Sequence, residues 1–196
     1  SNSLPCKGEL TDVINRHIHE ALQEEAIRNS IPVLQETTDQ VSLDVQKQYE
    51  DYPYPRWVNL RLEKEPLSIP QISERVQLRI PDQTIISCEF PEVLIAGCGT
   101  GQQSIEAASR YKNSKVLAID LSLRSLSYAK RKTDELGIRN IEYMQADILD
   151  LHKIGRQFDI IESCGVLHHM NDPIEGWQSL VGCLSAGGLL KIALYS

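Results

Sequence analysis

The sequence predicts a doubly wound, mostly parallel α/β sheet with a helical N-terminal extension. Three observations support this fold class. From Glu92 onward, short apolar runs alternate with segments of helical periodicity. Glycine or aspartate stands within three residues after each of the first three runs, and the 41% hydrophobic and 24% charged residues are typical of a globular chain. Alternation at this spacing indicates right-handed βαβ crossovers, which cover both faces of a parallel sheet with helices.

Five strands are expected in the second half of the chain. They are Val93–Ala96, Val116–Ile119, Ile141–Met144, Phe158–Ser163 and Leu189–Leu194. The helices expected between them are Gln102–Tyr111, a helix capped by Ser122 that reaches Leu136 and stops at Gly137, and a helix from Pro173 through Leu184. Gly187 and Gly188 are predicted to turn the chain into the fifth strand.

Residues 1–57 are expected to form the helical N-terminal extension, residues 58–90 a connector, and residues 91–196 the main domain. Thr11 is placed to cap a helix that ends at Ile31-Pro32. Residues 33–48 favour either a second, weaker helix or an extended polar segment. Prolines restrict the connector to short helical pieces.

Composition argues against several function classes. There are 20 Lys and Arg residues and 27 Asp and Glu residues, a formal net charge of −7. An acidic chain is poorly suited to bind the phosphates of nucleic acids or of anionic lipids. No apolar run is long enough to span a bilayer, so no membrane partner is expected. The five cysteines include no C-x-x-C pair, which argues against a disulfide framework or a zinc ribbon and favours a cytoplasmic location.

A glycine-rich loop follows the first strand, and ligands of open parallel sheets bind beyond the carboxyl ends of the strands. Its sequence is Gly97-Cys98-Gly99-Thr100-Gly101, and alternate glycines allow a sharp turn beside a ligand. Gln102 stands where the G-x-G-x-x-G dinucleotide motif has its third glycine, which argues against a nicotinamide cofactor. The loop alone is equally compatible with a tight turn between a strand and a helix.

Two carboxylates follow the next two strands. Asp120 follows Gly101 by 19 residues in the sequence. At this separation, a carboxylate after the second strand can accept hydrogen bonds from both ribose hydroxyls of a nucleoside. Asp147 and Ile148 suit an adenine, because the carboxylate can accept from the exocyclic amine while the isoleucine packs on the ring. Either aspartate alone could cap a helix or a turn. Together with the glycines, the two aspartates predict a nucleoside site.

These motifs and the segment Phe158–Met170 resemble those of class I S-adenosylmethionine-dependent methyltransferases in order and spacing. The resemblance covers about residues 90–196 and implies a Rossmann-like fold. It implies S-adenosylmethionine as cofactor, S-adenosylhomocysteine as product, and a small molecule or a protein side chain as methyl acceptor. The cofactor-binding residues that it implies are Gly97, Gly99, Gly101, Gln102, Asp120, Leu121, Asp147, Ile148 and Cys164.

His168 and His169, which follow the fourth strand, are the candidate general bases, because a histidine titrates near neutral pH. The alternative is a packing or hydrogen-bonding role in the loop. No third ligand stands nearby in the sequence to complete a metal site, so no metal is expected.

The segment Tyr49–Trp57 is similar to one that precedes the methyltransferase domain in bacterial proteins with tetratricopeptide repeats. This similarity implies such repeats elsewhere in a longer chain. One interpretation is a lid over the cofactor or acceptor, formed by Tyr52, Tyr54, Arg56 and Trp57. The other is an aromatic anchor that fixes the N-terminal extension to the main domain.

The chain departs from the family pattern in two places. Ile95 stands where the family usually has an acidic residue, so the methionine ammonium needs other acceptors, such as carbonyls of the glycine loop. The family sheet usually has two more strands after the fifth, so the sheet is expected to be truncated there. Its open edge along Leu189–Leu194 is expected to pair with a second copy in a homodimer or to be covered by the N-terminal extension.

The sequence thus predicts an enzyme that transfers a methyl group from S-adenosylmethionine to an unidentified acceptor. One alternative is a non-catalytic regulatory domain that binds S-adenosylmethionine, and the two departures keep it open. The other is an NAD-dependent oxidoreductase, which the missing third glycine disfavours.

Overall fold

The computed structural model describes residues 18–51, 57 and 59–194, and a five-stranded parallel sheet forms its centre. The strands are β1 (Glu92–Ala96), β2 (Lys115–Asp120), β3 (Ile141–Gln145), β4 (Phe158–Cys164) and β5 (Leu184–Ala193). Their order across the sheet is β3-β2-β1-β4-β5, so the chain winds from β1 to one side and then to the other. The predicted doubly wound sheet is confirmed.

Helices cover both faces of the sheet. They are α1 (Glu20–Arg28), α2 (Gln40–Asp51), α3 (Ile69–Arg75), α4 (Gln83–Ile86), α5 (Gln102–Arg110), α6 (Leu123–Glu135) and α7 (Pro173–Gly182), with 3-10 helices at Ile148–Ile154 and Leu167–His169. Neighbouring residues of one strand enter different apolar cores, because side chains alternate between the faces of a sheet. Ile95 belongs to one core and Leu94 to the other, and both are fully buried.

Local capping explains where two of the central helices begin. The Ser122 hydroxyl accepts a hydrogen bond from the Ser125 N–H at 3.0 Å at the start of α6. The Asp172 carboxylate accepts from the Ile174 N–H at 2.8 Å at the start of α7, where Pro173 occupies the first helical position. Both starts were predicted, since the caps are local sequence signals.

The fifth strand differs from its prediction. β5 begins at Leu184 and includes Gly187 and Gly188, so these glycines do not form a turn before the strand. Phe158 pairs with Leu184 and Ile160 pairs with Leu189, so two steps along β4 correspond to five along β5. The predicted strand is confirmed from Leu189 to Ala193. The predicted turn was wrong, because glycines also mark irregularities within a strand.

The N-terminal extension packs at the β3 edge of the sheet. Gln145 accepts from the Leu34 N–H and donates to the Pro32 carbonyl, both at 2.9 Å, which adds a parallel bridge to β3. The chain is extended here and becomes helical at Gln40, so both alternatives for residues 33–48 occur in succession.

Further along the extension, α1 packs on α6. Arg131 of α6 is 3% exposed and forms ion pairs with Glu20 and Glu24 of α1, both at 2.9 Å. The expectation that the extension covers the β5 edge is wrong for the described residues, since these lie at the opposite edge. In this part of the chain β5 pairs with β4 alone.

The connector contains the short helices α3 and α4, as its prolines predicted. Of the helices in residues 18–51 and 59–194, none combines the length and the apolar composition that crossing a membrane requires.

Candidate functional site

A cavity of about 420 Å³ lies beyond the carboxyl ends of β1 to β4, where the strand order reverses. Ligands of doubly wound sheets bind at this position, and small-molecule pockets have volumes of roughly 300–1,000 Å³. The predicted site residues that line the cavity are Gly97, Gly99, Gln102, Asp120, Leu121, Asp147, Ile148, Cys164 and His169. Gly101 and His168 were also predicted, and they do not line it.

The ends of β1 and β2 hold the glycine loop in place. The N–H groups of Gly97 and Cys98 both lie 2.9 Å from the carbonyl oxygen of Ile119. Gly101 has a φ of +89°, and a Cβ at this position would lie 2.5 Å from the Cβ of Ala129 in α6. Close packing of the loop on α6 therefore requires Gly101, which accounts for its place outside the cavity wall.

Asp120 connects the end of β2 with the glycine loop. Its Oδ2 accepts from the Gly99 N–H at 2.7 Å, and its Oδ1 accepts from the Ser122 N–H at 3.0 Å. Burial raises the pKa of Asp120 above its ordinary value, although hydrogen bonds from backbone N–H groups favour the ionised form. Each carboxylate oxygen has two acceptor positions, so Asp120 can still accept hydrogen bonds from a ligand in the cavity.

Asp147 is 6% exposed and begins the 3-10 helix after β3. Its Oδ1 accepts from the Leu149 N–H at 3.0 Å, and its Oδ2 accepts from the Thr37 hydroxyl at 2.6 Å. Ala146 and Ile148 line the cavity beside it, so apolar surface flanks the carboxylate. The contact with Thr37 was not predicted, because the two residues are 110 positions apart in the sequence.

Helix α2 forms a wall of the cavity that sequence analysis missed. Its lining residues are Val41, Ser42, Val45 and Tyr49. Two hydrogen bonds attach the helix to the start of α6: Gln46 donates to the Leu121 carbonyl at 2.9 Å, and the Ser122 hydroxyl donates to the Tyr49 carbonyl at 3.2 Å. The signal available in the sequence was the four-residue spacing of the apolar side chains, which places them on one helix face.

The first turn of α5 contributes Gln102 and Gln103 to the cavity. The Oε1 atom of Gln103 is buried and has no hydrogen-bond partner among the residues that the structure describes. A buried acceptor without a partner is costly unless a ligand supplies a donor. The free N–H groups of this turn also favour negative charge. Gln103 was not predicted, because a single glutamine outside a motif does not indicate a binding site.

The loop after β4 brings Cys164 and His169 to the cavity. Burial raises the pKa of the Cys164 thiol, although Lys191 opposes this, so the protonated thiol is favoured. Burial and the neighbouring His168 lower the pKa of His169, and the two imidazole rings lie 4.1 Å apart. A neutral His169 can accept a proton at neutral pH.

Trp57 is attached to the glycine loop from outside the cavity. Its indole N–H donates to the Thr100 carbonyl at 2.9 Å, and its ring meets the Tyr128 ring edge-on at a centroid distance of 5.9 Å. The Tyr128 hydroxyl donates to the Trp57 carbonyl at 3.1 Å. Tyr52, Tyr54 and Arg56, the other residues of the predicted lid, lie outside the described residues.

A buried carboxylate stands on β4 beside Ile95, the position where the resemblance implies an acidic residue. The sheet register pairs Ile95 with Glu162, which is 1% exposed. Glu162 accepts from the Tyr111 hydroxyl at 2.7 Å and from the Lys191 ammonium at 2.9 Å. It does not line the cavity, and ion pairs with Lys191 and with Arg110, at 3.6 Å, balance its charge within the protein.

Residues 18–51, 57 and 59–194 contain no group of three His, Cys, Asp or Glu side chains arranged to hold a metal ion.

Comparison with known proteins finds similarity for the part of the chain that contains most of the sheet. Residues 93–188 match a family model described as a methyltransferase domain. The chain is 35% identical over 107 residues to an uncharacterized protein of Synechococcus sp., an alignment that covers 54% of this chain and 26% of the relative. It is 30% identical over 98 residues to (S)-coclaurine N-methyltransferase of Thalictrum flavum, covering 47% of this chain and 27% of the enzyme.

The aligned part of the chain thus spans about a quarter of the length of these relatives. The crystal structure of coclaurine N-methyltransferase bound to N-methylheliamine and SAH superposes with a TM-score of 0.55 and 20% identity, over 95% of this chain and 57% of that one. At this level of identity the likeness establishes the shared fold.

Proposed function

We propose that the chain contains a class I methyltransferase domain, which uses S-adenosylmethionine to transfer a methyl group to a small molecule or a protein side chain. The observation that carries the proposal is the convergence of Asp120, Asp147 and the glycine loop on one cavity. These groups are far apart in the sequence, and together they present the acceptors that an adenine nucleoside requires.

The nucleoside end of the cofactor is assigned to the ends of β2 and β3. Asp120 would accept from the ribose hydroxyls, and its bonds to Gly99 and Ser122 hold the carboxylate in a fixed orientation. Asp147 would accept from the adenine amine, with Ile148 against the ring. The fit is supported by the acceptor positions that remain on both carboxylates.

The amino-acid end of the cofactor is assigned to the start of α5. The first-turn N–H groups of a helix favour an anion, which suits the methionine carboxylate. The buried Oε1 of Gln103 would accept from the methionine ammonium. This acceptor would replace the acidic residue that the family usually has at the position of Ile95.

Bound S-adenosylmethionine supplies a methyl group that its sulfonium has already activated. The residues of this chain then need to orient the reactants and exclude water, which accelerates an in-line displacement. α2 covers one side of the cavity with apolar side chains and serves this purpose. His169 would take the proton of an acceptor that must lose one, and its lowered pKa keeps the imidazole neutral at pH 7.

Three finer assignments belong to the same proposal. The Tyr49–Trp57 segment supports membership of the tetratricopeptide-linked group of bacterial methyltransferases. The unbridged cysteines at 88, 98, 164 and 183 support a cytoplasmic location. The edge of β5, which has no second strand partner in the described chain, supports a homodimer. Light scattering of the 196-residue chain tests the homodimer.

A transfer assay tests the catalytic function. The chain is incubated with S-adenosylmethionine carrying a tritiated methyl group and with panels of phenols, amines, carboxylates and proteins. We expect bound label and transfer to one acceptor class, with both lost in a double variant of Asp120→Ala and Asp147→Ala. Bound label without transfer to any class would favour the non-catalytic regulatory alternative.

A further inference from the structure

The stretch of chain before α2 is fixed to the strand end that carries Asp147. Gln145, two residues before Asp147, exchanges backbone hydrogen bonds with Pro32 and Leu34. Gln35 then accepts from the Lys153 ammonium at 2.7 Å. The N-terminal segment thus follows β3 and the 3-10 helix, and the position of Thr37 is set by contacts on the same elements that position Asp147.

Thr37 is the residue of this segment that reaches the cavity carboxylate. Its hydroxyl donates to Asp147 Oδ2 at 2.6 Å, a short hydrogen bond to a charged acceptor. The Leu149 N–H donates to the other oxygen at 3.0 Å. With one donor on each oxygen, the carboxylate plane is fixed, and one acceptor position on each oxygen remains for a ligand.

We propose that Thr37 is a positioning residue that orients Asp147 to select an adenine amine, so that the N-terminal segment takes part in cofactor specificity. The inference rests on the proposed binding of S-adenosylmethionine and deepens it. A carboxylate that is 6% exposed and held from two sides strongly favours a ligand with a donor at this point over one without it. Without the Thr37 hydroxyl, the carboxylate is restrained by Leu149 alone and the selection weakens.

The experiment compares two ligands in each variant by calorimetry. One is S-adenosylhomocysteine, and the other is its analogue in which hydrogen replaces the adenine amine. The ratio of their dissociation constants measures the contribution of the amine, and a general loss of affinity cancels in this ratio. Thr37→Val removes the hydroxyl and keeps the shape, Thr37→Ser keeps a hydroxyl, and Gln35→Ala is the matched control that loosens the same segment.

We expect the parent chain to prefer the adenine ligand at least tenfold. Thr37→Val should lower this preference by roughly three- to tenfold, the range that one hydrogen bond supplies. Thr37→Ser should keep the parent ratio, and Gln35→Ala should weaken both ligands by the same factor.

Two outcomes overturn the inference and are distinct from each other. If Thr37→Val keeps the parent ratio of the two dissociation constants, as Thr37→Ser is expected to do, Thr37 only attaches the segment to the end of β3. The proposed cofactor then stands. If the parent chain binds neither ligand, the proposed cofactor function fails as well.

Discussion

The carboxylate of Asp120 and the backbone N–H of Gly99 are joined by a hydrogen bond of 2.7 Å. This bond connects the end of β2 with the middle of the glycine loop, and the second oxygen of Asp120 accepts from Ser122 at the start of α6. One side chain therefore fixes two walls of the cavity and remains available to a ligand.

Asp120→Ala should weaken the binding of S-adenosylhomocysteine by about 1.5–3 kcal/mol, the range for hydrogen bonds to a charged group. Calorimetry measures this change. Asp172→Ala is the matched control: it removes the cap of α7, which lies outside the cavity lining, and should cost about 1 kcal/mol of folding stability while leaving the affinity unchanged. Equal affinities of the parent chain and Asp120→Ala for S-adenosylhomocysteine would show that Asp120 does not contribute to binding.

Gln103→Leu should weaken the binding of S-adenosylhomocysteine by about 1.5–3 kcal/mol, because the charged ammonium of the amino-acid end loses one acceptor. The same variant should bind methylthioadenosine as the parent chain does, since that ligand has no amino-acid group. Gln103→Glu, which keeps an acceptor, should retain the affinity for S-adenosylhomocysteine. An equal loss for both ligands in Gln103→Leu would show that the substitution disturbs the whole cavity.

Gly101→Ala should destabilise the fold by more than Gly137→Ala. Both residues have positive φ, of +89° and +71°, and this conformation costs an alanine about 1–2 kcal/mol. A Cβ at Gly101 also collides with Ala129, whereas a Cβ at Gly137 meets no atom within 4 Å. Urea denaturation gives both free energies of unfolding, and equal losses in the two variants would contradict the packing role of Gly101.

Trp57→Phe should lower the free energy of unfolding by about 1 kcal/mol, because the Thr100 carbonyl loses the indole donor while an aromatic ring remains beside Tyr128. Its affinity for S-adenosylhomocysteine should stay within about threefold of the parent value, a change below the 1.4 kcal/mol that corresponds to tenfold. This pattern is the one that an anchor predicts. A lid predicts the reverse, a large loss of affinity at unchanged stability.

His169 should contribute to the pH dependence of folding. Its pKa in the folded chain is lower than the ordinary 6.5, so the unfolded chain takes up the proton more readily and stability falls as pH drops from 7.5 through 6.5 toward 5.5. His169→Gln should remove part of this loss, which urea denaturation at pH 7.5 and at pH 5.5 measures. The same dependence of stability on pH in the parent chain and in His169→Gln would refute the prediction.

Sequence patterns were sufficient to predict the strands and the helix starts, because each pattern depends only on residues that are close together in the sequence. The apolar runs, the cap at Ser122 and the proline at the start of α7 each act within a few residues, and the structure follows them. The start of β5 was missed because a strand with an irregularity contains the glycines that elsewhere mark a turn. A single sequence does not separate these two uses of glycine.

The cavity was predicted only on the side that the strand ends form. Asp120 and Asp147 follow strands, and the topology of a parallel sheet brings such positions together. The opposite wall comes from α2. Thr37 does not line the cavity, and its contact with Asp147 spans 110 residues. No local pattern encodes a contact over that distance, and the spacing of Val41, Val45 and Tyr49 indicates a helix face without indicating what that face covers.

Calorimetric titration of the 196-residue chain with S-adenosylhomocysteine and, separately, with NAD tests the central claim most directly. We predict that S-adenosylhomocysteine binds at one site per chain, that Asp120→Ala weakens it, and that NAD shows no comparable binding. Tighter binding of NAD than of S-adenosylhomocysteine, or no binding of S-adenosylhomocysteine at all, would contradict the assignment of this cavity to S-adenosylmethionine.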